Sequence, residues 1–85
     1  MDLNTKILFF GSLADRLGRQ TEIELPAEGC TVAELRRLLG ARDAEFAAAL
    51  DAPGVRASAD KALVRDDQQV TPAQEVSFFP ILSGG

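Results

Sequence analysis

Glu75-Val76-Ser77-Phe78-Phe79-Pro80 reads as a β-strand near the C-terminus. Aromatic and β-branched residues suit a pleated surface. Pro80 has no amide proton to give to a ladder, so the strand is expected to stop there. Alternation sets Val76 and Phe78 on one face, and Ser77 and Phe79 on the other. A second run of the same kind, Lys6-Ile7-Leu8-Phe9-Phe10, lies at the opposite end of the chain. It is apolar nearly throughout, as central strands are. Ile7 and Phe9 share one face; Lys6, Leu8 and Phe10 share the other. These two Phe-Phe strands are the natural central neighbours of one sheet.

The segments between them fill out the architecture. Gly11 breaks the first strand, and Ser12 is placed to cap a short helix, Leu13 to Leu17, ending at Gly18. Thr21 to Leu25 alternates cleanly, with Ile23 and Leu25 inward, and Pro26 stops it. Ala27 to Cys30 read as loop. Thr31-Val32-Ala33-Glu34 is a capping box opening a helix with Val32, Leu35, Leu38 and Leu39 on one stripe and Arg36 and Arg37 outside. Gly40 is the expected end of that helix. Asp43 is expected to cap a second helix, Ala44 to Leu50, with Phe46 and Leu50 facing the core. After the Pro53-Gly54 turn come a strand from Val55 to Ala59, a tight turn at Asp60-Lys61, and a short strand, Ala62 to Val64. Asp66 to Gln69 read as polar loop, and Thr71 to Gln74 as the turn into the last strand.

Two strands, a helix and further strands imply an α+β domain: a mixed sheet with helices packed on one face. Ile7, Phe9, Val76 and Phe78 should meet Val32, Leu35 and Leu39. That leaves Leu8, Phe10 and Phe79 on the face without a helix, where clustered large apolar groups mark a partner site.

Composition narrows the function. The chain has 85 residues, enough for one small domain, and 46% of them are hydrophobic, enough for one core. Nine basic residues against thirteen acidic give a net charge of −4, with no basic cluster, which argues against nucleic acid. No signal peptide or membrane span is visible. Cys30 is the sole cysteine, so no intrachain disulfide is expected, and a reduced, cytoplasmic location is. Cys30 precedes a helix start and reads as a structural thiol, with a lowered pKa the alternative. Histidine is absent, which removes Ser-His-Asp and Cys-His nucleophilic systems and any His-based metal site. Asp66-Asp67 and Asp43-Glu45 lack metal-loop spacing. No metal or bound cofactor is expected, and a carrier or binding module is favoured over an autonomous enzyme.

The chemistry then falls on the end of the chain. Residues 1–80 are read as the domain, and Ile81-Leu82-Ser83-Gly84-Gly85 as a flexible tail. Five extended residues reach roughly 16–18 Å. A terminal glycine carbonyl is uncrowded, and its backbone can enter a narrow channel. An outside enzyme could activate it with ATP as an acyl adenylate. Sulfur or an amine could then take the acyl group, with no catalytic side chain on this chain.

Leu8-Phe9-Phe10-Gly11, the short helix to Gly18, Thr31-Val32 with Leu35, and Glu75 to Pro80 followed by Ser83-Gly84-Gly85 resemble the small subunit of molybdopterin synthase. The resemblance spans nearly the whole chain. It implies the ubiquitin-like β-grasp fold and a sulfur carrier. An adenylating, E1-like activating enzyme would use ATP on Gly85, and sulfur transfer would leave a thiocarboxylate. The tail, Ile81 to Gly84 leading to Gly85, would enter the large synthase subunit and donate sulfur to a cyclic pterin precursor of molybdopterin. Leu8, Phe10, Phe79 and Pro80 would form the interface in a complex of two large and two small subunits. Family members often carry Asn where this chain has Asp60, and Asp-Gly where it has Ala73-Gln74. The nearest rivals are the thiamine-pathway sulfur carrier, which usually passes more directly from first to second strand, a ubiquitin-like modifier joined to lysines, and an interaction domain with an inert tail.

Overall fold

The computed structural model describes residues 2–81. Its elements are β1 (Asp2–Phe9), α1 (Ser12–Leu17), β2 (Gln20–Pro26), β3 (Cys30–Thr31), α2 (Val32–Arg42), α3 (Ala44–Leu50), β4 (Val55–Ala59), β5 (Ala62–Val64), β6 (Gln69–Val70) and β7 (Val76–Pro80). The main sheet runs β2-β1-β7-β4-β5. β1 and β7 pair in parallel with Phe9 opposite Phe78, and the other pairs are antiparallel. The two Phe-Phe strands are neighbours inside a mixed sheet, as their composition implies.

The core forms on the expected face. Ile7, Phe9, Val76 and Phe78 are at most 2% exposed, and so are Val32, Leu35 and Leu39. Phe9 stacks between Phe78 and Phe46, with ring centroids 6.3 and 5.8 Å away. Stacking at such distances adds to the area each ring buries.

Three local signals at helix and turn starts are realised. Thr31 Oγ1 accepts from the Glu34 amide at 3.1 Å, and the Glu34 carboxylate accepts from the Thr31 amide at 3.2 Å. Asp43 caps α3 through the Glu45 amide at 2.7 Å. Asp60 and Lys61 both have positive φ, 50° and 71°, as a two-residue turn joining twisted antiparallel strands requires. Asp60 fits there: its amide donates to Glu75 O, and its carboxylate accepts from the Glu75 amide at 2.9 Å.

Five local expectations need correction. Gly40 does not end α2, which runs on to Arg42. A Cβ at Gly40 would lie 3.1 Å from the Ala47 Cβ, so this glycine lets α3 pack closely. Leu38 is 41% exposed and falls off the buried stripe. Arg36 is not outside: its side chain is only 13% exposed. Ser12 does not cap α1, because Gly11 holds the cap position without a side-chain bond. Cys30 and Gln69, read as loop, belong to a small antiparallel ladder between β3 and β6. Two-residue strands carry no periodicity to detect.

Candidate functional site

The outward face of the sheet is built by alternation and register together. β4 buries Val55, Ala57 and Ala59, which turns Arg56 and Ser58 outward. Ser58 pairs with Ser77 on one side and with Leu63 on the other. Leu8 pairs with Ser77. One row therefore reads Leu8, Ser77, Ser58, Leu63 across four strands. The two serine hydroxyls bond to each other in its middle, so their polar atoms are satisfied. The next row reads Phe10, Phe79, Arg56, since Arg56 pairs with Phe79 and Phe10 follows directly on the Phe9–Phe78 pair. Phe10 N donates to Phe78 O at 3.1 Å, which holds Phe10 beside Phe79 just past the end of β1.

The exposure on this face is large for such side chains. Phe10 is 52% and Leu63 67% accessible. Leu8 and Phe79 are half-buried there, and Pro80, equally half-buried, pairs with the inward Val55 and so lies on the opposite face at the same strand end. An open groove of about 430 Å³ runs beside Phe10, lined by Leu8, Phe10, Gly11, Ala14, Arg19 and Gln20. Toward the N-terminal half of β1 the face becomes polar, with Lys6 opposite Glu22 and Asn4 opposite Glu24. The apolar part thus lies at the end of the sheet where β7 finishes.

The structure brings Leu8, Phe10, Phe79 and Pro80 together at that end. Ile81 follows, 47% exposed, and its amide still donates to Gly54 O at 2.7 Å. Leu82, Ser83, Gly84 and Gly85 lie outside the described residues. Leu63 is an addition that the sequence reading missed. The signal was present: a two-residue turn at Asp60-Lys61 fixes Leu63 opposite Ser58, hence outward.

Other reactive groups are quiet. Cys30 is 5% exposed, and burial, helped by the charge of Glu34, pushes its thiol up. The lowered-pKa alternative is therefore corrected: the thiol is shielded from water, and its neighbour is anionic. Backbone and hydroxyl bonds from Thr31, with Arg37 adding slightly, hold the Glu34 carboxyl below its ordinary range. Among the described residues no three His, Cys, Asp or Glu side chains gather as metal ligands. No described helix is long and apolar enough to cross a membrane.

Comparison with known proteins follows the same lines. The model of the ThiS family matches residues 7–85. The molybdopterin synthase sulfur carrier subunit of Escherichia coli (strain K12) is 34% identical over 80 residues, covering 94% of this chain and 98% of the relative. A molybdopterin converting factor subunit 1 candidate from Pyrococcus furiosus superposes with a TM-score of 0.74 at 25% identity, covering 94% of this chain and 99% of that one. The small archaeal modifier protein 1 of H. volcanii superposes with a TM-score of 0.77 at 14% identity, over 93% of this chain and 98% of that one, a likeness of fold. The fold is the ubiquitin-like β-grasp.

Proposed function

The chain belongs to the ThiS family, and on that premise we propose that it is the sulfur carrier subunit of a molybdopterin synthase. The observation that carries this reading is the apolar face of Leu8, Phe10 and Phe79 lying at the root of the C-terminal segment. A carrier must be held by its partner next to the group it delivers, and here the docking surface and the delivered segment leave the same end of the sheet. The 34% identity to a named sulfur carrier subunit supports the molybdopterin branch. So does helix α1 between β1 and β2, where the resemblance has the thiamine-pathway carriers pass more directly from first strand to second.

In this reading Gly85 carries the chemistry. Its carboxylate oxygen attacks the α-phosphorus of ATP on an activating enzyme, releasing pyrophosphate and giving an acyl adenylate. Hydrosulfide-level sulfur then attacks the acyl carbon and displaces AMP, which leaves the thiocarboxylate. The residues from Ile81 to Gly84 lead Gly85 into the large subunit, where sulfur passes to a cyclic pterin precursor and Gly85 returns to carboxylate. The chain lends no general acid or base and no cofactor of its own; ATP is consumed by the activating enzyme. Two large and two small subunits form the synthase, in the cytoplasm.

Intact mass spectrometry after incubation with ATP, an activating enzyme and a sulfur source tests this. Exchange of one C-terminal oxygen for sulfur is expected. Unchanged sulfur donation by a chain lacking Gly84-Gly85 would refute the reading, and attachment to lysines of other proteins would favour a modifier.

A further inference from the structure

Two turns from distant parts of the chain meet at the root of the C-terminal segment. Gly11, in the turn from β1 to α1, adopts φ 59° and ψ −139°, a combination closed to residues with a Cβ. A Cβ built there would lie 3.3 Å from both Cδ and Cγ of Pro80. The glycine backbone is thus the surface on which the Pro80 ring rests. Gly54, in the turn from α3 to β4, has φ 86°. Its carbonyl accepts the Ile81 amide at 2.7 Å. Pro80 and Ile81 are therefore gripped on successive residues, by packing at one and by a hydrogen bond at the other.

Both turns are braced. Gly11 O accepts from the Ala14 amide at 3.0 Å, which fixes it to the first turn of α1. Val55, next to Gly54, donates its amide to Ala52 O and accepts at its own carbonyl from Arg36 Nη2 at 2.9 Å. The root is thus held from α1 on one side and from α2, through Arg36, on the other.

We propose that the Gly11 and Gly54 turns are a clamp that fixes where, and in which direction, the C-terminal segment leaves the domain, making both glycines positioning residues for sulfur transfer from Gly85. This rests on the carrier reading. Four residues separate Ile81 from the end of Gly85, a reach of at most roughly 13–14 Å from a fixed origin. If Ile81 were released, the origin would become a hinge, and the productive placement of the acyl sulfur would be one among many. Reactions of this kind lose up to about 10²-fold in rate when a reacting atom is misplaced by 1 Å. The outward apolar face gives affinity for the partner; the clamp sets the geometry of delivery.

The test uses the full chain converted to its thiocarboxylate by thiolysis of a C-terminal thioester, in which hydrosulfide displaces the thiol. Loading then does not depend on the clamp. Wild type, Gly11→Ala, Ile81→Pro and Ile81→Ala are compared. On the free protein, amide hydrogen exchange at Ile81 is read by NMR. With the large subunit saturating, the single-turnover rate of sulfur transfer is read beside the dissociation constant. Wild type is expected to protect the Ile81 amide, and Gly11→Ala to lose that protection. Gly11→Ala and Ile81→Pro, which has no amide proton to donate, should slow transfer about ten- to a hundred-fold with the dissociation constant unchanged. Ile81→Ala keeps the amide and should keep its protection, so the rate of Ile81→Pro is read against Ile81→Ala, which controls for the lost side chain.

An Ile81 amide that exchanges like an unstructured peptide in wild type would overturn the clamp. So would wild-type rates in Ile81→Pro, or losses confined to the dissociation constant. Should Gly11→Ala fail to fold, Ile81→Pro decides alone, because Ile81 is a surface residue. A wild-type thiocarboxylate that donates no sulfur would sink the carrier reading instead, a separable failure, since protection is measured without any partner.

Discussion

Replacing Arg36 by alanine should cost far more than its place in a run of two arginines suggests. Its guanidinium reaches over the end of α3 and the start of β4. Nη1 donates to Leu50 O, Nη2 to Val55 O at 2.9 Å, and Nε to Asp66 Oδ1 at 3.1 Å. Its Cζ lies 5.2 Å from the Phe78 ring centroid. Each charged bond to a backbone carbonyl is worth about 1.5–3 kcal/mol. The cation–π contact adds about 0.5–2 kcal/mol. The pair with Asp66, whose side chain is 61% exposed, adds only about 0–1 kcal/mol. Desolvating the guanidinium offsets a substantial part of this sum. A net loss of about 2–4 kcal/mol remains, a large share of the roughly 5–12 kcal/mol expected for such a domain. In melting temperature that is a fall on the order of 10–25 °C. Urea denaturation with Arg37→Ala as the control checks the figure, because Arg37 is exposed and should move stability by less than about 0.5 kcal/mol. Arg36→Lys should fall between, since one ammonium cannot serve two carbonyls and a carboxylate in a fixed fork. Equal midpoints for Arg36→Ala and Arg37→Ala would show that the guanidinium holds nothing together.

Three further outcomes are expected of the same structure. Phe10→Ala and Phe79→Ala should each weaken binding of the large subunit by about 2 kcal/mol, roughly thirty-fold in Kd by calorimetry. Melting temperatures should barely move for Phe10, already 52% exposed, and a large fall there would place it in the core instead. Cys30 should resist iodoacetamide in the native protein at neutral pH and react once urea unfolds it, because burial raises its thiol; prompt native labelling would contradict this. The depressed Glu34 carboxyl contributes stability above its unfolded pKa that is lost as pH falls through the folded value. The advantage of wild type over Glu34→Gln in urea titrations should therefore be present above about pH 5 and shrink toward pH 3; an advantage constant over that range would remove Glu34 as its source.

What could be read in advance was whatever a short window of sequence encodes. The alternation in Lys6 to Phe10 and Glu75 to Phe79 placed four core residues against three α2 partners, all seven at most 2% exposed. The Thr31-Glu34 capping box is a four-residue signal and formed as such. What escaped depends on contacts between distant segments. Gly40 carries the composition of a helix stop, but Ala47 seven residues later needs its missing side chain. Arg36 sits at a helical position that faces outward on an isolated helix, and only the carbonyls of Leu50 and Val55 draw it in. Leu63 required knowing which face β4 buries before its own direction could be assigned. At the candidate site, Leu8, Phe10 and Phe79 followed from alternation, whereas the hold of Gly54 on Ile81 joins residues with no local pattern linking them.

The parallel pairing of β1 with β7 is what makes these features one site. Had the two strands run antiparallel, Pro80 would lie beside the start of β1, far from Phe10 and Gly11. In parallel, both strands end on the same side of the sheet, so Phe10 comes level with Phe79 and the turn after β1 meets the Pro80 ring. The register is enforced from within, because a slip by one residue would turn Phe78 and Val76 out of the core. Interior packing therefore positions the outward face and the root of the C-terminal segment at once. If the outward face is the docking surface, as proposed, substitutions there change partner affinity without touching that register, whereas a substitution at Gly11 acts first on the departure of the segment. The proposed docking residues Phe10 and Phe79 and the proposed clamp at Gly11 and Pro80 sit on opposite faces of the same two strand ends.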